Sequence, residues 1–203
     1  MTRMFHTITE NKEGIRIYIK EKRIQLTAEE KEEKSVLTAA RAVKLLEEFC
    51  LLHETGWLYC YMDLQKEAGT REIFSWCWKH GIRTAVPRVS GRHMDFYEIA
   101  SPEDCTAGTM GILEPKDTCA PAAEASGGRS LTCPVIVPGV AFGTDGSRIG
   151  YGGGYYDRFF EREREHTAVG YCFDFQTASS VPAETHDKRM DFLITETSAL
   201  MIE

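Results

Sequence analysis

Val135-Ile136-Val137-Pro138-Gly139-Val140-Ala141-Phe142 leads through Asp145-Gly146-Ser147-Arg148-Ile149-Gly150 into Tyr151-Gly152-Gly153-Gly154-Tyr155-Tyr156-Asp157-Arg158 and then Phe159-Phe160-Glu161-Arg162. The β-branched run 135–137 reads as a buried strand, and the segment near 156–165 reads as a helix. Between them stand a turn and a glycine-dense loop. A strand that delivers such a loop to the start of a helix is a building unit of parallel α/β sheets, in which ligands gather beyond the carboxyl ends of strands. Successive glycines adopt backbone conformations closed to other residues, so several N–H groups can converge on one anion where a helix begins. Arg148 and Arg158 add positive charge, and Asp157 offers a hard oxygen ligand for magnesium. A bare triple glycine would be a surface turn, but a linker needs neither Tyr151, Tyr155 and Tyr156 nor charges on both flanks. No Lys-Ser/Thr follows, so this is not a Walker loop, and Tyr155 occupies the place of the last glycine in the dinucleotide fingerprint.

The chain has 203 residues with 42% hydrophobic composition, enough for one substantial core and one compact domain. Its net charge of −7 arises from 24 basic and 31 acidic residues, with no basic block dense enough to follow a nucleic-acid backbone. A local pocket of arginines and N–H groups can still oppose that global charge. The 7 cysteines form no C-x-x-C pair and the 6 histidines are scattered, a pattern that points to a reduced cytoplasmic setting and away from structural zinc. No signal-like N-terminus and no apolar run of about 20 residues argues for a membrane association.

Residues 10–26 are expected to form a first helix with Ile15, Ile19 and the Lys22 stem on its inner face. Thr27-Ala28-Glu29-Glu30 matches a capping box. A second helix should start there and bury Val36, Ala39, Ala40, Val43, Leu46 and Cys50. Further strands are expected at 57–62, 82–86 (stopped by Pro87), 94–99, 168–172 and 192–195, with a helix over 70–80 and a flexible loop over 118–132. The alternation predicts an α/β layered fold, a mostly parallel sheet flanked by helices in a single domain.

The string 137–158 resembles the signature of the 5-formyltetrahydrofolate cyclo-ligase family. The likeness extends along nearly the whole chain through Lys12-Glu13-Gly14-Ile15-Arg16, Glu67-Ala68-Gly69-Thr70, Val86-Pro87-Arg88, Met94-Asp95-Phe96, Gly111-Ile112-Leu113-Glu114-Pro115 and Pro182-Ala183-Glu184-Thr185-His186-Asp187, ahead of Ile194-Thr195-Glu196. The resemblance implies ATP-driven closure of 5-formyltetrahydrofolate to 5,10-methenyltetrahydrofolate, with magnesium as the metal and both partners small molecules. No nucleic acid and no membrane is expected as a partner, as the charge and hydropathy patterns already suggest, and the chain is expected to act as a monomer. In that reading Arg148 and Tyr155 serve catalysis. Lys12, Arg16, Arg148, Ile149, Gly150, Tyr151, Gly152, Gly153, Gly154, Tyr155 and Tyr156 bind the nucleotide. Met62, Glu67 and Tyr155 meet the folate, and Asp157 and Asp187 hold the metal. The chain departs from the family pattern at Gly69, where an acidic or amide side chain is common, and at Tyr151 and Gly153, where some relatives carry Lys or Arg. Taken singly, Lys12 and Arg16 also read as a solvated helix face, Met62 as core, and Glu67, Asp187 and His186 as surface polar residues. Two other readings share the phosphate cradle: a kinase or ligase acting on another acceptor, and a non-catalytic folate- or nucleotide-binding regulator.

Overall fold

The computed structural model describes residues 11–49, 51–52, 56–108, 112–125, 132–185 and 187–203. The chain opens with helices α1 (Lys12–Gln25) and α2 (Ala28–Glu48), then alternates β1 (Trp57–Tyr59), α3 (Arg71–Lys79), β2 (Arg83–Ser90) and β3 (His93–Ile99). A small hairpin, β4 (Cys105–Ala107) and β5 (Leu113–Pro115), precedes the single turn α4 (Ala122–Ala125). Next come β6 (Pro134–Val137), β7 (Ala141–Gly143), β8 (Arg148–Ile149), α5 (Tyr155–Arg162), β9 (Thr167–Tyr171), β10 (Thr177–Ala178), β11 (Phe192–Ile194) and β12 (Ala199–Met201).

The expected capping box closes: the Glu30 N–H donates to Thr27 Oγ1 at 3.1 Å and the Thr27 N–H to Glu30 Oε2 at 2.9 Å. Such a cap contributes about 1 kcal/mol to a helix start. The buried stripe of α2 differs from the expected one. Val36 is 44% exposed and Ala40 faces solvent, whereas Ser35, Thr38, Ala39, Ala42, Leu45 and Leu46 are buried. Cys50 lies outside the described residues. The shift is possible because the Ser35 and Thr38 hydroxyls donate back to Lys31 O and Lys34 O, each at 2.7 Å, so two polar residues enter the core already satisfied. On α1, Ile15 and Ile19 are buried as expected, but the next buried residue on that face is Arg23 rather than Lys22. Nor does Pro87 stop its strand. Among the described residues β2 has a strand partner only in β3 past the end of β1, and a proline is tolerated beside an unpaired edge. In the expected loop 118–132, residues 122–125 form α4 and Pro121 bridges to Tyr97, while residues 126–131 lie outside the described set.

Among the described residues seven strands form one sheet in the order β12-β11-β9-β6-β1-β2-β3, parallel except for the edge strands β3 and β12. Side chains alternate between its faces with the period of two that strands impose. Leu58, Ile136, Val169 and Ile194 pack with α2 and α3, whose Ala42, Leu46, Ile73 and Phe74 cover one face. Tyr59, Val135, Val137, Ala168 and Leu193 face the other way, onto Phe159 and Phe160 of α5 and Phe142 of β7. A second sheet, β10-β7-β8, carries α1, with Ile15 and Ile19 against Val140, Ala141, Ile149 and Ala178. The described cysteines are all free thiols. No helix among the described residues is long and apolar enough to cross a membrane.

After β1 the chain builds outward through β2 and β3, then returns to lay β6 on the opposite side of β1. The loops leaving β1 and β6 therefore diverge, and a crevice opens between them at the carboxyl edge of the sheet.

Candidate active site

That crevice is a cleft of about 1100 Å³. Its walls come chiefly from the segment after β1 with Met62 and Glu67, the loop from Pro138 through β8 into α5, and the first turns of α1 with Lys12 and Arg16; the β2–β3 hairpin, the start of β5 and the segment holding Glu184 and Asp187 complete them. Every residue expected at the site lines this one space, from Lys12 to Asp187. His186 lies outside the described residues.

The glycine loop owes its shape to backbone torsions. Gly152 has φ +101° and Gly154 has φ +61°, and Gly154 is the residue that caps α5. Among the described residues no side chain caps that helix start. Its first N–H groups are therefore left for a ligand or water, and residues 154–157 line the cleft, where the positive end of the helix favours an anion. Two of the loop's carbonyls are engaged by arginines: Arg16 Nε donates to Gly150 O at 3.1 Å and Arg158 Nη2 to Gly153 O at 2.8 Å. Arg158 is fixed in turn by Arg92 O at 2.9 Å and lies 5.1 Å from the centroid of the Tyr155 ring, so Tyr155 stacks beneath a cation at the cleft wall.

Arg148 points inward from β8 with its side chain only 5% exposed. Its Nη2 donates to Asp157 Oδ1 at 2.8 Å, and its guanidinium sits 5.7 Å from the centroid of Tyr156. Arg148 Nε and the Tyr156 hydroxyl have no hydrogen-bond partner among the described residues although both are buried. A buried arginine with an unspent donor, beside a helix start, is suited to stabilising charge on a transferring group. Ile149 contributes only backbone, because its side chain packs into the small-sheet core. Lys12 Nζ reaches Glu184 Oε1 and Asp187 Oδ2, each at 3.0 Å. Partial burial works against its charge, but the two carboxylates prevail and keep the ammonium above its ordinary range.

Glu67 is buried. Desolvation pushes its carboxyl above the usual range, opposed by the Leu64 N–H (2.9 Å to Oε2), by the Tyr151 hydroxyl on Oε1 and by Arg23. Arg23 was not foreseen as a site residue. Its signal was a charged side chain four residues beyond Ile19 on the apolar face of α1.

Asp157 and Asp187 both face the cleft. Among the described residues no cluster of three or more His, Cys, Asp or Glu side chains is poised to cage a metal. Two carboxylates beside a phosphate cradle nevertheless fit magnesium, which habitually completes its shell with phosphate oxygens and water.

The fold and cleft define a layered α/β protein that offers an anion cradle and a buried carboxylate at the topological switch point of its sheet. The sequence profile of the 5-formyltetrahydrofolate cyclo-ligase family matches residues 8–196, and the chain belongs to that family of enzymes. The mouse 5-formyltetrahydrofolate cyclo-ligase is 26% identical over 95% of this chain and 97% of its own length. The probable 5-formyltetrahydrofolate cyclo-ligase of Schizosaccharomyces pombe is 31% identical over 66% of this chain and 72% of its own. The solution structure of Aquifex aeolicus 5,10-methenyltetrahydrofolate synthetase superposes with a TM-score of 0.76 at 26% identity, covering 94% of this chain and 92% of the other.

Proposed function

We propose that this protein closes 5-formyltetrahydrofolate to 5,10-methenyltetrahydrofolate at the expense of ATP, by phosphorylating the formyl oxygen. The observation that carries the reading is the convergence, in one cleft, of a phosphate-type glycine loop with Arg148 and a buried carboxylate at Glu67.

The chemistry explains why these parts belong together. A formamide carbonyl is a poor electrophile because its nitrogen donates into it, and its oxygen is a poor leaving group. The formyl oxygen attacks the terminal phosphorus of ATP, the bond to ADP breaks, and the carbon becomes electrophilic. The pterin's N10 lone pair then forms the new C–N bond and N10 gives up its proton. Inorganic phosphate leaves as the C–O bond breaks, and the product is an amidinium cation. Little covalent work is left for the protein beyond alignment and charge stabilisation.

In this scheme the N–H groups of 152–157 receive the phosphates, and Lys12 and Arg16 reach them from α1. Arg148 stabilises charge growing on the transferred group. Glu67 accepts the N–H edge of the pterin, Met62 packs against its ring, and Tyr155 flanks the ligand from the opposite wall. Asp157 and Asp187 would hold magnesium, which neutralises phosphate charge when bound. We place the enzyme in the cytoplasm as a monomer that acts on small molecules only.

Purified protein mixed with 5-formyltetrahydrofolate and MgATP should show rising absorbance from the extended methenyl chromophore. The rise should depend on ATP and be matched one for one by phosphate release. No ATP-dependent rise would defeat the proposal, and binding of both ligands without turnover would leave a regulator instead.

A further inference from the structure

We infer that Arg23 and Tyr151 act as positioning residues that fix the Glu67 carboxylate for the pterin, an inference that rests on the function proposed above. Three segments remote in sequence meet here. Arg23 Nη1 donates to the Tyr151 hydroxyl oxygen at 2.6 Å, and Nη2 donates to Gly139 O at 2.8 Å. The Tyr151 hydroxyl donates its own hydrogen to Glu67 Oε1, while the Leu64 N–H donates to Glu67 Oε2 at 2.9 Å. Among the described residues each carboxylate oxygen thus has one protein donor and keeps a second lone pair. The plane of the carboxylate is set, and the remaining lone pairs of a residue that lines the cleft are left for two parallel donors of the kind a pterin presents with its ring N–H and adjacent amino group.

The order of the chain matters. A cation that donates to a hydroxyl oxygen strengthens that hydroxyl as a donor to the next group, and the effect is larger away from bulk water. Arg23 is buried, yet among the described residues its charge is spent on no carboxylate directly; it reaches Glu67 through Tyr151. The groups facing Glu67 among the described residues are Arg23 from α1, Tyr151 from the glycine loop, Tyr156 from α5, and Tyr61 and Asp63 from the segment after β1, together with the Leu64 N–H. Burial and Asp63 favour the protonated acid; Tyr151, Arg23 and the N–H favour the carboxylate. Tyr151 also begins the Gly152–Gly154 turn. One hydroxyl therefore ties the phosphate loop to the folate-facing carboxylate.

The test is Tyr151→Phe in the full chain. It removes one oxygen from a residue that is 53% exposed, so the fold should survive. Folate binding is followed by calorimetry across mildly acidic to mildly alkaline pH, alongside steady-state kinetics with MgATP. Loss of a hydrogen bond to a charged group predicts Kd and KM for 5-formyltetrahydrofolate raised about 10- to 100-fold, with KM for ATP near the wild-type value. The acidic limb of folate binding should move to higher pH, because Glu67 has lost a donor that favoured its charged form. Arg23→Gln should weaken folate binding in the wild-type background and add little in Tyr151→Phe, since the two act in series. If Arg23→Gln does not fold, Tyr151→Phe decides alone. Unchanged folate affinity with an unmoved acidic limb overturns the inference, as do ATP and folate constants that rise in step, which would mark Tyr151 as a prop of the loop. A wild-type protein that neither binds nor cyclises the folate removes the functional reading and this inference together. An active wild type with a normal Tyr151→Phe removes the inference alone.

Discussion

Arg148→Ala separates what this arginine does for the fold from what it does for the reaction. The side chain is 5% exposed and its Asp157 partner 20%, with Nη2 and Oδ1 2.8 Å apart. Removing one member of a buried ion pair costs about 3–5 kcal/mol, because the other is left desolvated and uncompensated. Asp157 keeps some water and still accepts the Lys188 N–H at 3.3 Å, which puts the loss at the low end, about 3 kcal/mol. For a domain of this size each kcal/mol lowers Tm by about 2–4 °C, so a fall of about 6–12 °C is expected by calorimetry. The catalytic loss is a different quantity. A donor aimed at developing charge contributes about 100- to 1000-fold in kcat, and KM for ATP should change far less, since the backbone cradle and Lys12 remain. Activity must be read well below the lowered Tm, with circular dichroism showing a folded protein. Arg148→Lys refines the test: it restores a charge near Asp157 and much of the Tm, but it cannot reproduce the planar fork and should remain slow. A folded Arg148→Ala enzyme with kcat within about threefold of wild type, far short of the loss expected of such a donor, would refute the argument and leave Arg148 as a purely structural residue.

Asp157→Asn keeps an oxygen for Arg148 but leaves that buried arginine without its counter-charge, so Tm should fall while half-saturating magnesium rises about tenfold; an unaltered magnesium titration would remove Asp157 from the metal site. Gly152→Ala places a side chain at φ +101°, where the new Cβ would meet Arg16 Nη2 at an ordinary 3.8 Å. Its cost is thus conformational, about 1–3 kcal/mol, and should appear as a raised KM for ATP with folate affinity preserved; an unchanged KM would show that the loop's backbone is not what receives the nucleotide. Glu67→Gln should abolish tight folate binding yet stabilise the protein at neutral pH. Burial raises the Glu67 carboxyl above its unfolded value, so its contribution to stability is complete below that value and is lost as pH rises through the folded one. The stability gap between variant and wild type should therefore open with rising pH in denaturant titrations, and a gap that closes would mean that Glu67 is stabilised by its partners more than burial penalises it.

The parts legible in the sequence were those whose physics is local. Thr27 and Glu30 satisfy each other's backbone donors within one turn, so the start of α2 could be read directly. Val135-Ile136-Val137 and Trp57-Leu58-Tyr59 are apolar on both faces, as central parallel strands must be, and they proved to be β6 and β1, side by side. The strands β7, β8 and β10 span two or three residues each, too short to carry any periodicity, and exist only because Phe142 pairs with Arg148 on one side and Thr177 on the other. The misjudged face of α2 has the same kind of cause. Nothing in the composition of Ser35 and Thr38 says that their hydroxyls will bond back to the helix and enter the core. At the site, the glycine loop and Arg148 announced themselves through unusual local density. Arg23 did not, because its meaning lies in Tyr151 and Glu67, separated from it by 128 and 44 positions respectively.

The charges of the cleft show how an acidic chain can present a site for a polyanion. Each cation assigned to the nucleotide is held by a carboxylate or a carbonyl of the protein: Arg148 by Asp157, Lys12 by Asp187 and Glu184, and Arg16 by Gly150 O. Unpaired, three like charges at one end of a cleft would repel and lower the stability of the fold. Paired, they are fixed in place at little electrostatic cost, and a phosphate that displaces a carboxylate exchanges one ionic contact for another instead of creating one from water. Two of the carboxylates so displaced, Asp157 and Asp187, are those assigned to the metal. Nucleotide and magnesium should therefore favour one another's binding through these shared partners, each releasing what the other needs, and thermodynamic reciprocity makes the factor the same in both directions.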